Sequence, residues 1–312
     1  MDMSLIAVAF AIGIVVGLTG MGGGALMTPA LVLFFGVPPL TAVSSDIVAS
    51  AAMKPAGSWV HMRRGTVNWR LVRLLVIGSV PAAFLGVWGA TYLGADRDNV
   101  QHLIKTALGA VLVVAALGLA ARAYMRLRER AQNADASATP LPQDRPDVVA
   151  RPVATIAVGA VGGLIVGLTS VGSGSLIIIA LMLLYPALKA SQLVGTDLVQ
   201  AVPLVVAAAA AHLMFGSVDW AITVPIIIGS IPGAYVGALV SSRASGGLVR
   251  RALAVILLAA GLKLLGTQNA VVLGVTLGAL LVGTAAWALL RRHYGFSFFA
   301  WQEKESSTKA AE

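Results

Sequence analysis

The residue types that could do chemistry in this sequence are gathered in two matched clusters of glycines and hydroxyl side chains. Gly17-Leu18-Thr19-Gly20-Met21-Gly22-Gly23-Gly24 returns 150 residues later as Gly167-Leu168-Thr169-Ser170-Val171-Gly172-Ser173-Gly174. Runs of glycine interrupt a helix, because glycine loses the most backbone freedom on becoming helical. A new helix then starts near Gly23 and near Gly174, and a helix start presents free N–H donors and a partial positive charge, which suits an anion. Thr19, Thr169, Ser170, Ser173 and Ser175 add hydroxyl donors. Gly20, Gly22, Gly23 and Gly24 on one side, with Gly172 and Gly174 on the other, are therefore candidate substrate-binding positions together with those hydroxyls. The alternative is that the glycines serve only close helix packing, as Gly13 with Gly17 and Gly163 with Gly167 would.

Each cluster is followed by a carboxylate in a matched setting, Ser44-Ser45-Asp46 and Gly195-Thr196-Asp197, now 151 residues apart. Ser45 and Thr196 join the candidate binding set. Asp46 and Asp197 fit either of two roles. A buried carboxylate beside an anion site can carry a coupling proton, or it can stabilise a helix N-terminus by accepting from backbone amides. Lys54 has Val205 as its counterpart, so this charge exists once. It could attract the anion, pair with Asp197, or reach for the nearer interface. His61 and His212, also 151 apart, fall at helix ends, where interfacial residence outweighs proton relay. Trp59, Trp69, Trp220 and Trp301 read as interfacial anchors.

The elements that must position these residues are set by composition. Of 312 residues, 58% are hydrophobic and 11% charged, against about 25% charged in an average soluble domain. Apolar runs of the roughly 20 residues needed to cross a bilayer as helix recur from Leu5 to Leu290. Short polar breaks delimit nine of them, and two, carrying the glycine clusters, are too long for one straight crossing. The expected fold is an all-α polytopic membrane protein. Met1-Asp2-Met3-Ser4 lacks the basic region of a secretory signal, so the first segment is expected to be retained. There is no cysteine, hence no disulfide, thiolate metal site or cysteine nucleophile. A net charge of +9 reflects basic residues at helix ends, as membrane orientation requires, rather than nucleic-acid binding.

The matched blocks extend further. Gly65-Thr66-Val67-Asn68-Trp69 pairs with Gly216-Ser217-Val218-Asp219-Trp220, and Gly78-Ser79-Val80-Pro81 with Gly229-Ser230-Ile231-Pro232, both 151 residues apart. Chance similarity between greasy helices would not reproduce polar residues in register, so the chain reads as a duplication. The expected organisation is a first transmembrane repeat over 5–127, a cytoplasmic linker over 128–152, a second repeat over 153–266, an additional C-terminal helix over 270–290 and a polar tail over 291–312.

Charge bias chooses between parallel and inverted repeats. Arg63, Arg64, Arg70 and Arg73 flank one loop, and Arg122, Arg126, Arg128 and Arg130 begin the linker, while Asp96 and Asp98 lie between; the two basic clusters are expected inside. From there an inverted arrangement leaves Lys189, Arg243, Arg250, Arg251, Arg291 and Arg292 inside and Lys263 outside, and a parallel one reverses all seven. Inversion is expected, with re-entrant hairpins at the two glycine breaks, seven full crossings and binding near the midplane where interrupted helices meet.

The glycine breaks, the Ser-Asp and Thr-Asp pairs, the run His61-Met62-Arg63-Arg64-Gly65-Thr66-Val67-Asn68-Trp69-Arg70 and its reduced copy at 212–220 together resemble the sulfite exporter TauE/SafE (4-toluene sulfonate uptake permease) family, over roughly 10–93 and 160–242. The resemblance implies a permease for sulfite, sulfonates or other small anions, moving them inward or outward. The expected partners are thus a small anionic substrate, the lipid bilayer, expected to be the bacterial cytoplasmic membrane, and protons as candidate coupling ion, with a homo-oligomer left open. No nucleic acid, cofactor or resident metal is expected. Rival readings are a passive anion channel, an intramembrane enzyme and an assembly subunit. The enzyme reading lacks a His-Glu-x-x-His, a Gly-x-Ser-x-Gly elbow or a nucleotide loop.

Overall fold

Helices dominate because apolar sequence in a bilayer must satisfy its backbone groups within the segment. A computed structural model describes residues 2–19, 23–63, 65–93, 97–136, 149–188, 190–241 and 246–293. Among these residues there are eleven helices: α1 Met3–Thr19, α2 Gly24–Phe34, α3 Pro39–Arg63, α4 Trp69–Leu93, α5 Arg97–Ala136, α6 Pro152–Thr169, α7 Leu176–Leu184, α8 Ala190–Phe215, α9 Trp220–Ser241, α10 Gly246–Leu264 and α11 Asn269–His293. They are the nine expected apolar segments with both long ones divided, between α1 and α2 and between α6 and α7. Helix α5 runs on to Ala136, so the stretch expected as linker from residue 128 begins as helix.

Among the described residues, six helices are long and apolar enough to cross a membrane, with spans in α4, α5, α6, α8, α9 and α11. Three helices differ from the expected seven crossings: α6 joins the spans, while α3 and α10 are not among them. Helix α6 reaches 18 residues, although its stretch was expected to be one arm of a hairpin. Helix α3 is long enough at 25 residues but carries Ser44, Ser45, Asp46, Ser50, Lys54 and Ser58, all buried, and this polar load lowers its hydropathy while facing protein rather than lipid. Helices α2 and α7 have 11 and 9 residues, about 16 and 13 Å at 1.5 Å per residue, half of a hydrocarbon core of about 30 Å.

Helix α1 lies along α9, and α6 along α4; α3 packs on α8 and α5 on α10. Glycines set the closeness of the first two pairs. A methyl group added at Gly13 would sit 2.6 Å from the Ser230 carbonyl oxygen, and one at Gly163 would sit 2.2 Å from that of Ser79. Gly78 and Gly229 likewise face the carbonyl oxygens of Ile156 and Ile6, and Gly86 and Gly237 face Leu164 and Ile14. Each contact therefore occurs twice, between positions that correspond at the 150- and 151-residue offsets. Backbones this close gain dispersion contacts that larger side chains would prevent.

The buried core runs between the helix pairs. Ile47, Leu75, Ile104, Ile177, Leu181 and Leu204 are fully buried members of it or of its immediate surroundings. Trp59, Trp69 and Trp220 are more than half exposed, and the Arg63 guanidinium lies 4.9 Å from the centre of the Trp59 ring. The orientation markers Arg64, Asp96, Lys189 and Arg243, with Trp301 and the tail from residue 294, lie outside the described residues.

Candidate functional site

The second glycine loop follows α6. Ser170 takes a left-handed conformation at φ 59° and its amide donates to Val166 O at 2.8 Å, closing the helix. Gly172 and Gly174, at φ 138° and 96°, occupy backbone space that side chains rarely adopt. The chain turns here and starts α7, with the amides of Ser175, Leu176 and Ile177 all directed at Gly172 O. In the first loop, Gly20 and Gly22 lie outside the described residues. Gly23 precedes α2 and its carbonyl accepts from Leu26 and Met27. The two loops touch: a methyl group on Gly24 would fall 2.0 Å from Ser170 O. Thr19 and Thr169 each turn their hydroxyl back onto the helix they end, to Val15 O at 2.8 Å and Ile165 O at 2.7 Å.

Three charged side chains converge behind these loops. Asp46 is 2% exposed, and its Oδ2 accepts from Thr28 Oγ1 and Ser170 Oγ, both at 2.7 Å. Asp197 is fully buried and its Oδ1 accepts from Gln200 Nε2 at 3.1 Å; the Gln200 carbonyl in turn accepts from Ser79 Oγ at 3.4 Å. Lys54 is buried, its ammonium donates to Ser173 Oγ at 2.6 Å, and it lies within Coulombic reach of both carboxylates. Buried charge persists only when compensated, and one ammonium between two carboxylates is partial compensation. The structure thus joins Asp46, Lys54, Asp197, Ser170 and Ser173 into one cluster.

Several expectations need correction. Asp46 and Asp197 lie two turns inside α3 and α8 and bond side chains, so the helix-capping role does not hold. Lys54 turns inward to Ser173 and does not reach for an interface. Ser45 and Thr196, candidate ligand residues, accept main-chain amides: Asp219 N donates to Ser45 Oγ at 3.2 Å and Asn68 N to Thr196 Oγ1 at 3.0 Å. Each hydroxyl thereby holds the start of a helix from the other half of the chain. His212, expected at the interface, is 2% exposed. Its Nε2 lies 2.8 Å from Gly167 O and its Nδ1 2.8 Å from Ser44 Oγ, a pattern met by the neutral ring with its proton on Nε2. His61 is half-buried, its Nδ1 3.0 Å from Thr66 Oγ1. Thr28 and Gln200 went unread and Ser79 entered only as part of a matched block, although the 151-residue offset that pairs Ser79 with Ser230 also sets Gln200 opposite Ala49.

A small cavity lies between α1, α2, α3 and α9, lined by Gly13, Gly23, Asp46, Ser50, Met53 and Ser230 among others, with room for about one water molecule. The Asp46 carboxylate is on its wall. The hydroxyls of Ser50 and Ser230, 3% and 4% exposed, also line it and make no hydrogen bond with the described residues.

The chain matches the family model described as sulfite exporter TauE/SafE over residues 5–264. It is 39% identical over 265 residues to the "Probable membrane transporter protein YjnA" of Bacillus subtilis (strain 168), covering 85% of this chain and 100% of that one. It is 27% identical over 238 residues to the "Probable membrane transporter protein YdhB" of the same strain, covering 76% and 89%. No solved structure matches. The apolar helices, the multi-pass architecture and these relatives describe a membrane transporter and not an enzyme: the chain belongs to the sulfite exporter TauE/SafE family.

Proposed function

We propose that the chain is a secondary transporter of a small sulfur oxyanion, sulfite or a sulfonate, working by alternating access around a site between its two glycine-interrupted helices in a bacterial cytoplasmic membrane. The carrying observation is the meeting of the two loops at Gly24 and Ser170, which brings the starts of the half-length helices α2 and α7 into one neighbourhood. Irregular backbone is tolerated at membrane depth where it is buried in protein or faces a polar cavity. Helix starts, hydroxyls and one lysine make an anion site whose charge is low enough to release its cargo.

The two halves are read as inverted repeats with the glycine breaks as re-entrant elements. The twofold exchange of contacts, α1 with α9 and α6 with α4, supports a pseudo-symmetric pair, and the charge bias supports inversion. Rocking one half against the other would open the site alternately to each side. A passive channel is the weaker reading, because the two loops close on each other at Gly24 and Ser170, which suits an occluded carrier better than an open pore.

The test is flux in liposomes containing the purified protein, using radiolabelled sulfite, sulfate, thiosulfate and a short sulfonate, with and without a pH gradient. Saturable uptake lost in Gly23→Leu is expected. If no oxyanion moves in a folded, correctly oriented preparation, the substrate class is wrong.

A further inference from the structure

The two halves treat their carboxylates differently in one respect that bears on charge. Behind Asp197, the space between α8 and α4 is filled by Gln200, which joins Asp197 Oδ1 to Ser79 Oγ. The corresponding positions around Asp46 are Ala49 and Ser230. Alanine ends where glutamine would continue, and the small cavity lies there, with Ala49, Ser50 and Ser230 on its wall beside Asp46. Asp46 Oδ2 is taken by Thr28 and Ser170, whereas Oδ1 accepts no hydrogen bond from the described residues. Three oxygens with no protein partner, Asp46 Oδ1, Ser50 Oγ and Ser230 Oγ, thus share one small buried space.

We propose that this cavity between Asp46, Ser50 and Ser230 binds one small monovalent cation of the size of sodium. The polar side chains on its otherwise apolar wall, Asp46, Ser50 and Ser230, offer oxygen alone, which suits a hard cation, and a dehydrated sodium ion is no larger than the water molecule the space admits. Charge points the same way. With both carboxylates ionised, Lys54 is one buried ammonium for the two buried groups Asp46 and Asp197 among the described residues, and a cation beside Asp46 would balance the second charge in a low-dielectric interior. Gln200 fills the space on the Asp197 side, so the open side is the one beside Asp46. The start of α2 opposes a cation, but its partial charge of about half a unit is smaller than the full carboxylate charge. An anion would be repelled by Asp46, so the cavity is separate from the proposed oxyanion site while adjoining it at Gly23.

Its consequence rests on the transport reading: a cation at Asp46 would cancel the charge that repels an oxyanion from the nearby helix start, so that one ion favours binding of the other. The binding site itself does not depend on that reading. Two readouts on the full chain keep them apart. Sodium-22 binding and thermal unfolding in sodium against choline chloride report the cation; labelled sulfite flux in liposomes, with and without a sodium gradient, reports transport. Saturable sodium binding with a raised unfolding temperature is expected in the wild type, and its loss is expected in Asp46→Asn. Ala49→Gln, which plugs the cavity without removing charge, should lose it as well, and guards against Asp46→Asn failing to fold. Sodium binding that survives intact in folded Ala49→Gln overturns the site. So does flux driven by a pH gradient in a protein that binds no sodium, which would leave a proton on the carboxylate as the carrier. Sodium binding without any oxyanion flux would keep the site and remove the transport reading.

Discussion

The surroundings of Asp46 and Asp197 differ far more than the carboxylates themselves. Asp197 is held by Gln200, within reach of the Lys54 ammonium; Asp46 is held by two hydroxyls, from Thr28 and from Ser170 of the opposite loop. Ile178 stands where a second copy of Thr28 would be, and Val205 where a second Lys54 would be. Positions 151 residues apart thus hold two buried carboxylates, and differences at a few neighbours place Gln200 against one and leave the other beside open space. A matched pair of residues is therefore weak evidence for a matched pair of functions.

Removing the charge that the two sites share should break this arrangement most severely. Lys54→Met leaves both carboxylates without the ammonium, and breaking a buried pair by deleting one partner costs about 3–5 kcal/mol. Unfolding in detergent should shift by a corresponding amount, and adding Asp197→Asn should recover part of it. A double variant no more stable than Lys54→Met would mean that the lysine compensates Asp46 alone.

Next in size is the contact between loops. The Cβ of Gly24→Ala would meet Ser170 backbone oxygen at 2.0 Å, an overlap that backbone must relieve at a cost of about 1–3 kcal/mol. Gly23→Ala meets only the flexible end of Met53, at 3.3 Å, and should fold nearly as well as the wild type. Equal stability of the two variants would show that the loops do not close on each other as described.

These comparisons also mark how far the sequence could be read. The breaks at Gly20–Gly24 and Ser170–Gly174 were legible because glycine runs and a constant offset are properties of the chain alone. The helix count followed from the same breaks. Who faces whom was not legible, because the pairing of α1 with α9 and α6 with α4 puts partners in opposite halves. The contact of Ser45 with Asp219 therefore went unread, and His212 looked interfacial when it lies between Gly167 and Ser44. The Ala49 and Gln200 difference was present in the alignment of halves, but its meaning depends on a cavity that only packing creates.

Gln200→Ala sharpens the comparison by making the second half resemble the first. Truncation should open a cavity beside Asp197 and leave Asp197 Oδ1 and Ser79 Oγ without Gln200, a loss of about 1–3 kcal/mol for buried polar groups left unsatisfied. Thermal unfolding would read the loss. No change in stability would imply that water enters and replaces the amide, and that the two carboxylate environments differ less than their hydrogen bonds suggest.

The smallest effects should come from Ser45→Ala and Thr196→Val, where the halves agree. Each hydroxyl accepts one main-chain amide at the start of a helix from the other half, at 3.2 and 3.0 Å. Asp219 is exposed and Asn68 half-buried, so water can take over much of each bond, and the cost should be near the low end of the ordinary 0.5–1.5 kcal/mol, that is about 0.5 kcal/mol. Oxyanion affinity in flux assays should be unchanged by either substitution, because neither hydroxyl is needed for cargo while it holds a helix start. A variant with normal stability and strongly weakened substrate affinity would return that hydroxyl to the binding site. Such a result in one half alone would extend the asymmetry of Asp46 and Asp197 to their neighbours, whereas the same result in both would mean that Ser45 and Thr196 exchange their amide partners for cargo when the halves move.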